Sequence, residues 1–314
     1  LIALIHKYAP ITFIEHLSHQ VKDIWSLVSN ARVPIYLETS SAQFISFSAF
    51  ITLLELTKRQ VPESEFISLV RASSKAFVDK ISSDTNNEKS MSGLCSYIPV
   101  NALIIDERAN EHSLKLELQS HSQSLFLGEL YLLSVVHCYY QSLASNVNDP
   151  IKYHLQHPDA SDLALLKINH QTSQFLGQGS TALFYKEPIQ SELSSQCDYP
   201  VRFQSPDLSC TQQITAILEG YIGREDISIE QLSQIIDVNA RTIQRRLKSE
   251  GNTFRKIKES LNIAFAKRVM VQRKASISDV AEHLGYSDTS QFIRAFRKAE
   301  NTTPLQWLKK HQKP

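Results

Sequence analysis

Two short stretches of this chain carry the same kinds of side chain at helical spacing. Arg241, Thr242, Gln244, Arg245 and Lys248 lie in the first, and Thr289, Ser290, Gln291, Arg294 and Arg297 in the second. Wound into a helix, each set faces away from a pair of apolar anchors four residues apart, Ile243 with Leu247 and Phe292 with Phe296. The chemistry open to such a face is hydrogen-bond donation to anionic or electron-rich acceptors. Arginine and glutamine can grip two atoms of a base edge, while lysine, serine and threonine reach phosphate oxygens. A carboxylate would repel phosphate, and neither face holds one beyond the residue that caps its helix. A merely solvated helix face has a similar composition, so the elements that hold the two faces must decide. Arg246 and Lys298 read as plain surface.

Those elements form a degenerate internal repeat. The first copy is SIEQLSQIIDVNARTIQRRLK, Ser228 to Lys248, and the second is SISDVAEHLGYSDTSQFIRAFRK, Ser276 to Lys298. Ser228, Ile229, Leu232 and Ile236 recur 48 residues later as Ser276, Ile277, Val280 and Leu284. Ile243, Arg245, Leu247 and Lys248 recur 49 residues later as Phe292, Arg294, Phe296 and Arg297, so the second copy has one extra residue at its turn. Each copy has the signals of a helix-turn-helix. Ser228 with Gln231, and more weakly Ser276 with Asp279, predict an N-terminal capping box. Gly285 suits a turn that needs positive φ, a conformation Asp237 tolerates less well. Asn239, and Ser287 or Asp288, are placed to cap the following helices. Between the copies, Thr253 to Arg273 predicts a long helix with Phe254, Ile257, Leu261, Phe265 and Val269 on one face. Twenty helical residues span roughly 30 Å, close to the ~34 Å turn of a DNA duplex. Such a connector suits two recognition helices in successive major grooves.

At this point residues 211–310 resemble the DNA-binding domain of the AraC/XylS family of transcription regulators. The signature lies in SISDVAEHLGYSDTSQFIRAFRKAENTTPLQWLKK: the turn Gly285–Tyr286, the run from Phe292 to Arg297, and the terminal Thr303, Pro304 and Trp307. The resemblance implies two helix-turn-helix units on adjacent major grooves. It places Arg241, Gln244 and Arg245, and Thr289, Ser290, Gln291 and Arg294, where bases are read. Two positions depart from the family pattern: Asp237 stands at a turn where glycine is usual, and Asn262 where arginine is common. The second weakens one polar anchor. Trp307 is expected in the core.

The net charge of +1 conceals an asymmetry. From Thr211 onward there are 18 Lys and Arg against 11 Asp and Glu, a net of +7; the first 210 residues hold 15 and 21, a net of −6. A basic module on an acidic remainder suits a polyanionic partner. The acidic part reads as α+β. Ser40 to Arg59 predicts a helix, and Pro62 the first turn of another. Asp84 to Ser92 reads as a polar loop, Leu114 to Leu118 as a strand and Ser122 to Leu143 as a buried helix; Leu163 to Ile168 and Thr181 to Tyr185 read as further strands. The organisation expected is a sensing or dimerising domain over 1–190, a linker over 191–210 rich in polar residues and proline, and an all-α double helix-turn-helix domain over 211–314. INHQTSQFLGQGSTALFYKEPI and FISFSAFITLLELTKRQ are similar to the arabinose-binding-like N-terminal domain of one AraC subgroup. That resemblance implies a small-molecule effector, a homodimer and contact with RNA polymerase on double-stranded promoter DNA, and by extension a cytoplasmic regulator, with activation the favoured sign. The alternative is an effector-independent regulator whose N-terminal domain only dimerises or binds a protein.

Catalysis and metal binding are weakly served. His16 with His19, His154 with His157, and His137 beside Cys138 lack the further partners of a known ligand pattern. Cys95, Cys138, Cys197 and Cys210 fit neither a zinc site nor a disulfide framework. No cysteine has the basic setting an activated nucleophile needs, so an enzyme fused to a regulator module is not favoured, and no cofactor is expected. No apolar run approaches a membrane span, and the start lacks the flanks of a signal peptide. Phe44, Phe47, Phe50, Phe126, Tyr131, Tyr139 and Tyr140 read mostly as core, with room for some to line an effector pocket.

Overall fold

A computed structural model describes residues 2–38, 40–84, 90–107, 112–118, 125–144, 147–158, 172–189, 200–223, 227–273 and 275–311. The chain forms two compact units, Leu1–Glu38 with Phe44–Asp207, and Leu208–Pro314 with Thr39–Gln43. Among the described residues no helix is long and apolar enough to cross a membrane.

The first unit is an α/β assembly built on two sheets. Strand β1 (Leu4–His6) pairs antiparallel with β2 (Phe44–Ser46). Helices α1 (Tyr8–Leu17), α2 (Ile24–Asn30), α3 (Phe47–Lys58), α4 (Glu63–Ser83) and α5 (Met91–Cys95) come before the larger sheet. That sheet joins β3 (Val100–Asp106), β4 (His112–Leu118), β5 (Lys152–His154), β6 (Ser173–Phe175), β7 (Thr181–Tyr185) and β8 (Val201–Gln204) in the order β6-β5-β7-β4-β3-β8. Among the described residues only the β5–β6 pairing is parallel. Helix α6 (Leu125–Leu143) packs on β7 and against α3 and α4. Phe13, Phe50, Phe66, Phe77, Tyr131 and Tyr139 fill the core around these helices, with Phe50 edge-on to both Phe13 and Tyr131.

The expected helix over Ser40 to Arg59 is shorter than its periodicity suggested. Phe44–Ser46 is strand, because pairing with β1 buries Ile45, and the Ser46 hydroxyl caps α3 by accepting from the Ala49 N–H. Pro62 is the N-cap of α4 rather than part of its first turn. The end of the expected polar loop is helical: Met91 and Ser92 begin α5, capped by the Ser90 hydroxyl. Strand β3 had no sequence signal strong enough to announce it, yet it lies between β4 and β8. Part of the expected linker is also sheet, since Val201–Gln204 pairs with β3 along Ala102–Ile105. The strand expected over Leu163 to Ile168 lies outside the described residues.

Two polar features of this unit, the contacts of Glu129 and of His137, escaped the sequence reading. Glu129 on α6 is fully buried, and its carboxylate accepts from the N–H groups of Gln156 (2.8 Å) and His157 (3.2 Å) and from the Thr181 hydroxyl. It therefore ties α6 to β7 and to the segment after β5. His137 contacts the Tyr185 hydroxyl at 3.0 Å and lies 3.6 Å from Asp149, and burial lowers its pKa against the pull of that carboxylate. Cys95 is buried, and desolvation pushes its thiol up to about 11, the setting of an inert cysteine.

The second unit is helical: α7 (Cys210–Leu218), α8 (Ile229–Ile236), α9 (Ala240–Ser249), α10 (Phe254–Gln272), α11 (Ile277–His283), α12 (Thr289–Glu300) and α13 (Pro304–His311). At 19 residues, α10 is about 28 Å long. It was expected to bury a single stripe, but it buries two. Ile257 and Leu261 lie along the half that leads away from α9, and α10 packs on α7. Ile263, Ala266 and Met270 enter a second core with Val280, Ala281, Phe292, Phe296 and Leu308. A helix that serves two packing partners needs two apolar faces. Trp307 is half-buried against this second core, its ring edge-on to Phe296.

Candidate nucleic-acid interface

Each face nominated from the sequence is carried by a short helix whose start and angle are fixed by local chemistry. Helix α8 opens with a complete capping box: the Ser228 hydroxyl accepts from the Gln231 N–H, and the Gln231 side chain accepts from the Ser228 N–H. It ends at Asp237 with φ +52°, the left-handed conformation expected at that turn, and the Val238 N–H bonds back to Ser233. Asn239 then caps α9 through the Arg241 N–H at 2.9 Å. Helix α11 begins at Ser276, whose hydroxyl accepts from the Asp279 N–H. Its turn places Gly285 at φ +74°. Of the two residues proposed as cap for α12, Asp288 serves, accepting from the Gln291 N–H at 2.7 Å. Both helix pairs therefore use a positive-φ residue at the turn, which glycine supplies without strain and aspartate does not.

The anchors point inward as expected: Ile243, Leu247, Phe292 and Phe296 are all buried. Each fully buried phenyl contributes roughly 1.5–3 kcal/mol. Opposite them, Arg241, Gln244, Arg245 and Lys248 are exposed on α9, with Thr242 half-buried. On α12, Ser290, Gln291, Arg294 and Arg297 are exposed and Thr289 is half-buried. Two of these side chains have other work. The Gln291 amide oxygen accepts from the N–H and hydroxyl of Ser287, which leaves its NH₂ as the group able to reach outward. The Thr289 hydroxyl donates to that of Ser278 at 3.5 Å. The Asp288 carboxyl sits below its ordinary pKa, held there first by the Gln291 N–H and also by the Arg294 charge.

The sequence reading missed a clamp that seats α9. Glu250, at the end of that helix, accepts from the N–H groups of Cys210 and Thr211, both at 2.8 Å, across the first turn of α7. These contacts, Thr211 foremost, hold the carboxyl below its usual range. A second capping box, Ser209 with Gln212, starts α7 inside the expected linker. That S-x-x-Q pattern was a readable signal. Glu250 was not, because its partners lie 40 residues away in sequence. Asn262, noted as a departure, interacts with the Tyr286 side chain; burial raises that phenol, and Asn262 acts in the opposite direction. No group of three or more His, Cys, Asp or Glu converges among the described residues.

Residues 232–310 match a family model described as a helix-turn-helix domain. They are an AraC-type domain. Related proteins include the transcriptional activator NphR of a Rhodococcus species, 23% identical over 43% of this chain and 42% of that one. The HTH-type transcriptional regulator RipA of Corynebacterium glutamicum is 30% identical over 40% of this chain and 38% of its own. The chain thus spans about two fifths of the length of these curated relatives. The crystal structure of the transcriptional regulator CdpR from Pseudomonas aeruginosa is 17% identical and covers 97% of this chain and 98% of that one at a TM-score of 0.36, too low to carry an argument about architecture. The AraC-type domain contains both basic faces, from Arg241 to Arg297.

Proposed function

We propose that this chain regulates transcription by binding a specific DNA sequence through two helix-turn-helix units, α8–α9 and α11–α12, which enter adjacent major grooves. The observation that carries the reading is the paired display of exposed donors on α9 and α12, each set opposite a buried anchor pair, within an AraC-type domain. Arg241, Gln244, Arg245, Thr289, Ser290, Gln291 and Arg294 read base edges. Thr242, Lys248 and Arg297 hold phosphates and fix the register. Relatives named as activators favour activation with RNA polymerase as partner. The separate compactness of the first unit supports its assignment as the domain that dimerises and senses a small molecule. Unequal affinity of that molecule for two states would then set DNA occupancy, in the cytoplasm where the DNA lies.

The test is selection of binding duplexes from random DNA by the full chain, followed by footprinting with and without a metabolite extract. Protection of two adjacent major grooves is expected, altered by the extract if the first unit senses a metabolite. Arg245→Ala and Arg294→Ala should each lower affinity for the selected duplex by about tenfold to a hundredfold, as loss of a bidentate base contact does. Their melting temperatures should match the parent's, since both side chains are exposed. Unchanged binding in both variants would remove the site assignment.

A further inference from the structure

One stripe of α10 faces both helix pairs. Lys258 donates to the Ile227 carbonyl, just before α8, at 3.0 Å. Asn262, one turn on, meets Tyr286 in the turn between α11 and α12. Phe265 follows three residues later and touches both sides. Its ring lies flat on Gly223, in the loop after α7: a Cβ added there would come within 2.6 Å of the ring's Cζ. The same ring stacks with His283, at the end of α11, with centroids 5.6 Å apart and planes 19° apart. Gly223 has φ +76°, so neither its conformation nor its surroundings leave room for a side chain. Alongside this contact is a cavity of about 220 Å³, walled by Leu218, Ile222 and Ile227 on one side and Leu284 on the other, with Lys258 and Asn262 between them. The loop after α7 and the end of α11 are therefore not joined there by continuous packing. A flat ring wedged between them bears the contact.

We propose that Phe265 is a positioning residue that fixes the spacing of the two DNA-reading helices, and so the spacing of the two sequence elements the protein accepts, without touching DNA. The inference rests on the reading of α9 and α12 as base-reading helices. Physically, one inserted base pair turns the second element by about 35° and moves it by about 3.4 Å. A stiff joint cannot follow that displacement, whereas a joint without its wedge can.

The experiment uses the full chain and its selected duplex, compared with duplexes having one base pair added or removed between the two protected grooves, and with duplexes in which either element is scrambled. The parent should lose about tenfold or more in affinity on either change of spacing, the scale of one mismatched base pair. Phe265→Leu should bring the loss to within about threefold, while affinity for duplexes with one intact element stays the same. His283→Ala, at an exposed position, should act in the same direction, and His283→Phe should restore discrimination because it restores the stack. If Phe265→Leu does not fold, the His283 pair decides. Discrimination unchanged in folded Phe265→Leu or His283→Ala overturns the proposal, as does an equal loss on single-element duplexes. A parent that selects no duplex at all removes the DNA-reading assignment itself, an outcome distinct from either of these.

Discussion

Glu129 stands out at the residue scale because it is a fully buried carboxylate with no basic side chain paired to it among the described residues. Two backbone N–H groups and a hydroxyl satisfy it instead. Replacing it by glutamine puts an NH₂ donor against groups that also donate, and leaves at least one of these half-buried N–H groups unpaired. Such a loss costs about 1–3 kcal/mol. The first unit of Glu129→Gln should melt several degrees below the parent by calorimetry; an unchanged transition would mean that water or a rotated amide satisfies the site. From sequence this residue looked like one charge within an apolar helix. Only the fold brings Gln156, His157 and Thr181 round it.

Between elements, charge governs two junctions: Glu250 on the first turn of α7, and Asp288 on the first turn of α12. Both carboxyls titrate below their ordinary pKa in the folded protein. The unfolded chain therefore takes up protons first as pH falls. The stabilisation is fully present above the ordinary carboxylate range, about pH 4, and is lost as pH drops through the lower folded values. The melting temperature of the second unit should hold from neutral pH to about pH 5 and then decline. In Glu250→Gln it should start lower at neutral pH and decline less steeply. A parallel decline in parent and variant would remove Glu250 from the account. These junctions also show what a sequence can declare about its elements. Ser228, Asn239, Ser276 and Asp288 act on backbone within three residues, and Gly285 and Asp237 mark turns by their own φ, so the helix pairs could be read directly. Thr181–Tyr185 could be read too, from its apolar Ala182, Leu183 and Phe184 between a β-branched and an aromatic residue. Phe44–Ser46 could not, because nothing local separates a strand edge from the start of α3. Nor could Val201–Gln204, whose ordering depends on β3 about a hundred residues earlier.

For the whole molecule, the separation of charge is the dominant fact. A net of +7 lies on the part that carries both basic faces and −6 on the remainder. If Lys248 and Arg297, the two cations assigned to phosphates, each displace a condensed counterion, their share of the fall in the logarithm of DNA affinity against the logarithm of salt concentration should be a slope of about −1.8. Titrations between 50 and 200 mM salt, typical of such work, would measure it. A slope close to zero would mean that these two cations do not meet phosphates. Replacing either of them by alanine should make the slope less steep by about one.

The edge strand β8 and the capping box at Ser209 also determine where this polypeptide can be divided. A fragment ending before Val201 would strip the cover from Ala102 to Ile105 and leave a bare apolar strand ready to pair with another molecule. A fragment starting after Ser209 would leave the first turn of α7 without its hydroxyl cap. Only the few residues from Pro206 to Leu208 can be cut without damaging one side or the other, since Ser205 still bonds to Asn101 and Cys95 of the first unit. The proline-rich stretch that looks from its composition like a dispensable tether is, for most of its described length, already part of the two bodies it connects.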